Sequence, residues 1–392
     1  MIDKNLEEDL FFRRRRVQKA VHEAGGDGIM ITTDVNIYYM TGTVFAGYYY
    51  LPVDDDPAMF VKRPCNLSGE RLFQIRKPEQ IPDIFAANGW SLPENIFLET
   101  DEMSYNECMR LQNVFRFGKI DNANRLMSRL RMIKTPWEIA QLRISAGLHA
   151  ATYSCIRGCY RPGMTDLRFQ AEIERQMRLH GSVGVFRTSG PNMNIFMGSV
   201  LAGNNAETPS PYDFALGGEG QTAFCPVGAN GTLLREGMAV MVDMAGNYTE
   251  YLTDMTRVFS IGMLPKPAYR AHRVSLEIQD AVETAAKPGV SCAALYDVAC
   301  SIAEKAGLSA YFMGTKQQAK FVAHGIGLEI NEPPVFSHNS KDILEPNMAF
   351  ALEPKFVIPG VGAVGIENSY IVTQKRVEKL TIFEEKIMPI GN

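Results

Sequence analysis

Two aspartates stand inside a segment that otherwise has the composition of a buried β-strand. The segment MAVMVDMAGNYTEYLTDMTRVFSIG contains Asp243 and Asp254, eleven residues apart. On one continuous strand, an odd separation would point the two side chains to opposite faces. If the segment folds as a hairpin with NYTE at its tip, the aspartates lie directly opposite each other on one face, with Cβ atoms about 5 Å apart. We therefore predict a hairpin that brings two carboxylates together.

A pair of glutamates shows the same arrangement further along the chain. The segment AFALEPKFVIPGVGAVGIENSYIV contains Glu353 and Glu367, which are equidistant from Gly360. A hairpin centred on that glycine sets the two glutamates side by side. Buried carboxylates must be protonated, paired with cations or bound to a metal, and we find no lysine or arginine placed to serve each pair. A multivalent cation shared by all four carboxylates removes the repulsion.

A histidine completes the candidate site. His324, in FVAHGIGLEINEPP, ends a predicted strand and stands beside glycines that allow other groups to approach closely. Four carboxylates and one imidazole suit Mn, Fe, Co or Zn, whereas a structural zinc site uses more nitrogen or sulfur and calcium takes only oxygen ligands. The predicted ligands of two divalent metal ions are Asp243, Asp254, His324, Glu353 and Glu367.

The elements that position these residues belong to an α+β chain with two parts. Residues 1 to about 130 alternate between helix-like and strand-like segments, which predicts a small α/β domain. A second domain begins at RLRMIKTPWEIAQLR, where Thr135, Pro136 and Glu138 match a capping box with proline in the first helical position. We place the boundary so that the domains span residues 1–132 and 133–392.

Two segments of the second domain look alike. RPGMTDLRFQAEIERQMRLHG and KPGVSCAALYDVACSIAEKAG each contain a Pro-Gly turn, a Thr or Ser cap, a predicted helix and a closing glycine. Each follows another predicted helix and precedes predicted strands, which indicates two related α+β halves. A chance likeness of two capped helices is the alternative.

With these motifs in place, the sequence resembles the pita-bread metallopeptidase family M24, which includes prolidase, aminopeptidase P, methionine aminopeptidase and the related creatinase. The order of the five predicted ligands matches, as do the flanking residues TDMTR, HGIGLE and GIEN. Residues 1–132 resemble the creatinase-type N-terminal α/β domain, including NIYYMTG, and MIKTPWEIAQLR resembles the start of the catalytic domain. The resemblance implies a C-terminal pita-bread fold for residues 133–392.

The resemblance also implies roles for the site residues. Asp254 and Glu367 would bridge two metal ions, Asp243 would complete one ion, and His324 with Glu353 would complete the other. Such a pair of ions can hold a bridging hydroxide that attacks an amide carbonyl, while Glu353 carries the proton to the leaving group. We therefore expect an Xaa-Pro dipeptidase or Xaa-Pro aminopeptidase that acts on small peptides as a homodimer, with Glu353 and His324 as catalytic residues.

Three positions depart from the family's peptidases. Those enzymes carry a histidine seven residues after the metal histidine, where this sequence has Asn331, and another in a Pro-His-Gly setting, where this sequence has Val227. An arginine often stands two residues before the last glutamate, where this sequence has Gly365. We expect the lost donors to weaken transition-state binding by a few kcal/mol, although Asn331 can still donate to a substrate. The Gly-, Asn- and Pro-rich segment 191–221 is the candidate for replacement substrate contacts, with a plain surface loop as the alternative.

The composition of the chain bears on its expected partners and location. The net charge of −4 gives no general attraction to nucleic acid. No apolar stretch approaches the roughly 20 residues that span a bilayer, so we expect no membrane partner and a cytoplasmic location. Two alternatives to an Xaa-Pro peptidase remain. One is an enzyme of this fold with a non-peptide substrate or lyase chemistry, and the other is a non-catalytic relative that binds peptides or proteins, which the retention of all five ligands disfavours.

Overall fold

The structure is a computed structural model that describes residues 4–188, 197–212 and 214–391. The chain divides into two compact units, Met1–Arg131 and Met132–Asn392. This division lies one residue from the predicted boundary. That the two parts fold as separate domains stays a prediction.

The first unit is an α/β unit built on a mixed sheet. In the described part of this unit the sheet has six strands in the order β4-β3-β2-β1-β5-β6. The strands are β1 (Gly28–Ile31), β2 (Ala46–Pro52), β3 (Ala58–Arg63), β4 (Leu72–Gln74), β5 (Asn95–Leu98) and β6 (Lys119–Asn122). The helices are α1 (Lys4–Glu23), α2 (Asp34–Thr41), α3 (Ile81–Ala87), α4 (Tyr105–Phe115) and α5 (Ala123–Met132). Helix α1 buries apolar residues at helical spacing, among them Leu10, Val17 and Val21, because that spacing places them on one face.

In the residues of the second unit that the structure describes, there are two antiparallel-rich sheets and a separate hairpin. One sheet has the order β17-β9-β8-β7, the other has the order β11-β10-β12-β15-β16, and β13 pairs with β14. The strands are β7 (Gly198–Ala202), β8 (Ala239–Gly246), β9 (Thr253–Ile261), β10 (Phe321–Gly325), β11 (Glu332–Ser337), β12 (Ala349–Leu352), β13 (Lys355–Ile358), β14 (Gly362–Gly365), β15 (Asn368–Val372), β16 (Val377–Lys379) and β17 (Met388–Ile390). All nine residues of β9 are buried, so this strand has contacts on both faces.

Two pairs of helices pack against these strands. The helices are α6 (Pro136–Cys155), α7 (Asp166–Leu179), α8 (Lys266–Ala285) and α9 (Cys292–Lys305). Helix α6 contacts β8 and β9, whereas α8 contacts β13 and β14. The two similar sequence segments form α7 and α9, each 14 residues long and each preceded by a helix of 20 residues. The helices predicted from the repeated pattern are therefore confirmed.

The predicted start of α6 is also confirmed. The Thr135 hydroxyl accepts a hydrogen bond from the Glu138 amide at 3.2 Å, and the Glu138 carboxylate accepts one from the Thr135 amide at 2.7 Å. These reciprocal bonds satisfy two amides that the helix itself leaves unpaired. Within the residues that the structure describes, none of the helices combines the length and the apolar character of a membrane span.

Candidate active site and metal centre

A cleft in the second unit gathers the residues singled out by the sequence. It encloses about 690 Å³ counted to its mouth. All six predicted site residues border it, namely Asp243, Asp254, His324, Asn331, Glu353 and Glu367. Its walls are largely apolar and include Phe186, Phe214, Leu216, Phe321 and Ile330. A polar floor within apolar walls is the usual construction of a small-molecule site.

The two aspartates lie on the β8–β9 hairpin, but the predicted direct opposition is wrong. Asp243 pairs with Thr256, and Asp254 pairs with Ala245, so the aspartates are diagonal neighbours. The hairpin tip is longer than predicted, and within it Tyr251 donates a hydrogen bond to Glu138 of α6 at 2.9 Å. The register differs by two residues, and a shift of two keeps both side chains on the same face.

The two glutamates follow the predicted hairpin register. Lys355 pairs with Gly365 and Ile358 with Gly362, which centres the β13–β14 hairpin on Gly360. Glu353 and Glu367 lie just outside these pairs, where the chain leaves the hairpin for β12 and β15. Both are buried, with 3% and 1% of their surface exposed.

His324 lies on β10 with its ring directed at the carboxylates. Its Nδ1 lies 3.2 Å from the carbonyl oxygen of Gly325, and because a carbonyl only accepts, Nδ1 is the protonated nitrogen. Nε2 lies 3.5 Å from Glu353 Oε1, 3.7 Å from Glu367 Oε1 and 3.9 Å from Asp254 Oδ2. A hydrogen bond at Nδ1 that leaves Nε2 for a metal is the common arrangement of ligating histidines.

Asp254, His324 and Glu367 fit a divalent metal ion. Each offers one ligand atom, and the three atoms lie within 4.8 Å of one another. Two atoms that are each about 2.1 Å from one ion are at most about 4.2 Å apart, which both distances from His324 Nε2 satisfy. Glu367 Oε1 is buried and lacks a hydrogen-bond partner, whereas buried polar atoms are nearly always paired. A cation at this position would satisfy that oxygen.

Lys355 overturns the expectation that no cationic side chain serves the carboxylate pairs. Its Nζ lies 2.8 Å from Asp243 Oδ2, 2.7 Å from Glu353 Oε2 and 3.0 Å from Glu367 Oε2. Lys355 is completely buried. The sequence carried a signal for this contact, because Lys355 follows Glu353 by two, and on a continuous strand that spacing places both side chains on one face.

Burial and charge together set the protonation of the cluster. Burial raises the pKa of Asp254 well above its usual value, and the charges of Glu367 and Asp243 add to the rise. Burial also raises the pKa of Glu353 to about 7, against the opposing effect of Lys355. The pKa of Glu367 is lowered, because Lys355 and His324 outweigh its burial. The cluster therefore favours additional positive charge on the side of Asp254.

Gly365, where the resemblance leads us to expect an arginine, packs against β13. Gly365 has φ +148°, and a Cβ there would lie 2.5 Å from the carbonyl oxygen of Pro354 and 2.7 Å from Lys355 Cα. Both distances are shorter than real Cβ contacts allow, so no side chain fits at this position without moving β13. Gly365 and the buried Lys355 are thus directly paired across the β13–β14 hairpin.

Replacing Gly365 by alanine is expected to lower the free energy of unfolding of the second unit by about 3 kcal/mol, because both the backbone angle and the contacts with β13 are unfavourable. Urea unfolding followed by Trp137 fluorescence in a Trp90→Phe background measures it, since the chain has two tryptophans. Gly360→Ala is the matched control, with φ +77° and open space around the Cβ, and should cost about 1–2 kcal/mol. Equal losses in the two variants would contradict the steric account.

The remaining departures also lie at the cleft. Val227 is 5% exposed and borders the cleft with Gly228. In the segment proposed for substrate contacts, residues 191–196 and 213 lie outside the described residues. Gly198, Ser199 and residues 214–216 of the same segment border the cleft.

Comparisons with known proteins cover nearly the whole chain. The profile of "Metallopeptidase family M24" matches residues 140–374, and that of "Creatinase/Prolidase N-terminal domain" matches residues 13–133. A Pyrococcus furiosus protein named Xaa-Pro dipeptidase is 25% identical over 391 residues, which cover 96% of this chain and 99% of that protein.

Solved structures show the same architecture. An Xaa-Pro dipeptidase from Bacillus anthracis superimposes with a TM-score of 0.80 at 24% identity, covering 97% of this chain and 100% of that one. Aminopeptidase P from E. coli with the inhibitor Pro-Leu gives a TM-score of 0.72 at 16% identity, covering 96% of each chain. The predicted α+β fold, with a creatinase-type N-terminal domain and a C-terminal pita-bread domain, is confirmed.

Proposed function

Because the chain belongs to metallopeptidase family M24, we propose that its cleft is a metal-dependent active site that hydrolyses the amide bond before proline in short peptides. The observation that carries the proposal is the convergence of Asp254, His324 and Glu367 around one point, with an unpaired buried oxygen of Glu367 facing it. The proposed Xaa-Pro specificity is supported by the similarity to a protein named Xaa-Pro dipeptidase.

The residues of the cluster have two proposed roles, metal binding and proton transfer. Asp254, His324 and Glu367 would hold a divalent Mn, Co, Zn or Fe ion, which when bound supplies a Lewis acid for the substrate carbonyl. Glu353 lies at the edge of this position, with Oε1 3.5 Å from His324 Nε2, where a carboxylate can take up and return a proton. Glu353 is therefore the candidate to protonate the leaving nitrogen.

The second ion of the predicted pair does not fit the residues present. In the predicted pair its ligands are Asp243 with the bridging Asp254 and Glu367, and the Lys355 ammonium lies 2.8 Å from an oxygen of Asp243 and 3.0 Å from one of Glu367. We assign no step to a second ion. The predicted homodimer and cytoplasmic location remain part of the proposal.

The walls of the cleft suit a substrate with a compact apolar group. Phe186, Phe214 and Ile330 surround the polar floor and present apolar surface to a proline ring. Asn331 borders the same cleft, where its amide is the proposed donor to a substrate carbonyl in the place of the family's histidine.

We expect Xaa-Pro amides to be cleaved at least as well as Xaa-Pro dipeptides with a free carboxylate. Among the described residues that border the cleft, His324 is the only group that can carry a positive charge, and it is assigned to the metal. A hydrogen bond to a charged group contributes about 1.5–3 kcal/mol, so a fixed cation would favour the free acid by roughly ten- to a hundredfold. The kcat/KM values of Ala-Pro and Ala-Pro-amide check this, and a tenfold preference for Ala-Pro would contradict it.

A panel of Xaa-Pro, Xaa-Pro-Yaa and non-proline peptides with added Mn²⁺ or Co²⁺ tests the proposed function. We expect cleavage before proline by the wild-type chain and its loss in Glu353→Ala. Complete inactivity toward every peptide with metal bound would overturn the proposal. That outcome would favour the second candidate, an enzyme of this fold with a non-peptide substrate, which is supported by Val227 and Asn331 in place of the substrate-binding histidines.

A further inference from the structure

The Lys355 ammonium contacts two of the three ligands predicted for the second ion, Asp243 and Glu367. Its Nζ contacts one oxygen each of Asp243, Glu353 and Glu367 at 2.7–3.0 Å. These are the lengths of charge-assisted hydrogen bonds. A divalent ion bound by the same three oxygens would lie about 2.0–2.2 Å from each and would overlap the ammonium. The lysine and a second ion therefore exclude each other.

The lysine is held in this place. It is completely buried, and its backbone on β13 pairs with Gly365. Its carbonyl oxygen accepts a hydrogen bond from the Met313 amide at 2.8 Å on the other side of the strand. An ammonium withdrawn from its carboxylates inside the protein would lose them without reaching water, which is strongly unfavourable.

On the side of the cluster that faces His324, Glu367 Oε1 has no cationic partner comparable to Lys355 among the residues that the structure describes. Glu367 uses Oε2 for Lys355 at 3.0 Å and for the Thr256 hydroxyl at 2.7 Å. Its Oε1 faces His324 and is buried without a hydrogen bond. The two oxygens of one carboxylate thus face two different positions, one filled by lysine and one suited to a metal.

The charge of the cluster also favours one lysine together with one metal ion. With all four carboxylates ionised, as metal binding requires, their four negative charges are reduced by one through the ammonium and by two more through a single divalent ion. One negative charge then remains in a buried site. A second divalent ion beside the ammonium would make the cluster net positive, with no further described anion among the residues that border the cleft to balance it.

We propose that this centre binds one divalent metal ion per chain, at Asp254, His324 and Glu367, and that the Lys355 side chain replaces the second ion. The inference rests on the proposed function in taking the cluster as a metal centre. Lys355 is then a positioning residue that holds Glu353 Oε2 and leaves Glu353 Oε1 on the side of His324 and the substrate.

Equilibrium dialysis against Mn²⁺ with elemental analysis counts the ions directly. We expect one ion per wild-type chain and none in His324→Ala. Any metal found in His324→Ala measures binding outside the proposed site and is subtracted from the wild-type count. In Lys355→Ala the space and the three carboxylates become available, so we expect two. The electron paramagnetic resonance spectrum should show isolated Mn²⁺ in the wild type and an exchange-coupled pair in Lys355→Ala.

Lys134→Met is the matched control, because Lys134 is equally buried and its Nζ pairs with Glu332 at 3.1 Å outside the carboxylate cluster. It should retain one ion. Two ions in the wild type, none in the wild type, or one in a folded Lys355→Ala chain would each overturn the inference. A count of one without peptide cleavage would leave it standing and would overturn only the proposed peptidase function.

Discussion

His324→Ala is expected to remove the bound divalent ion and to lower kcat/KM for an Xaa-Pro peptide by about 10³-fold or more. The imidazole supplies the only nitrogen ligand of the proposed position, and a metal ion contributes several kcal/mol to transition-state stabilisation, at about 1.4 kcal/mol per tenfold in rate. Initial rates and elemental analysis of the same preparation measure both effects. The loss should appear mainly in kcat, because the apolar walls that are proposed to bind the substrate are unchanged.

His338→Ala is the control for this variant. His338 has 77% of its side-chain surface exposed and lies 3.5 Å from Asp297, outside the residues that border the cleft. It should keep both the metal and the rate. If His324→Ala retained its metal and its kcat/KM within about threefold, the assignment of His324 would be wrong.

Lys355→Met is expected to lower the free energy of unfolding of the second unit by about 3–5 kcal/mol in metal-free buffer at pH 8. Removing one partner of a buried ionic cluster leaves the other charges uncompensated, and here three carboxylates lose one shared ammonium. Methionine keeps most of the side-chain volume, so the loss reports charge rather than a cavity. Urea unfolding followed by Trp137 in the Trp90→Phe background measures it.

Lys386→Met is the matched control on the surface of the same unit. Lys386 pairs with Glu384 at 2.9 Å but has 69% of its side-chain surface exposed, and pairs of this kind contribute about 0–1 kcal/mol. Saturating divalent metal should restore part of the stability lost in Lys355→Met, because binding to the folded state stabilises it. A metal-free Lys355→Met chain as stable as the wild type would show that the ammonium does not neutralise the cluster.

Local patterns predicted much of the fold and most of the site. The capping box at Thr135 depends on a few adjacent residues, and the structure contains it. The hairpin register around Gly360 follows from a short symmetrical turn, and the structure has it as well. His324 stands at the end of a strand as predicted. Each of these features is determined within a short stretch of sequence.

The predictions are wrong where contacts between distant parts of the sequence determine the structure, namely at the β8–β9 register and at Lys355. In the tip of the β8–β9 hairpin, Tyr251 reaches Glu138 on α6, more than a hundred residues away, and nothing in the hairpin itself shows this contact. The sequence prediction misses Lys355 because it considers a separate cation for each pair of carboxylates. The structure shows one ammonium shared between both pairs, which requires the two hairpins to meet.

The departures from the family pattern acquire a physical meaning in the structure. In the sequence, Gly365 stands where the family pattern often has an arginine. In the structure it is the cross-strand partner of Lys355, and it has no space for a side chain. Val227 and Asn331 border the cleft that is proposed to bind the substrate. The changes in this chain therefore concern both the cation set and the substrate contacts.

The most direct test of the account is the rate of Xaa-Pro peptide hydrolysis as Mn²⁺ is added in steps to metal-free protein, with bound metal counted at each step. The account predicts no hydrolysis without metal, a rate that rises in proportion to bound metal, and a plateau at one ion per chain. A rate independent of metal, or one that continues to rise until two ions are bound, would contradict it.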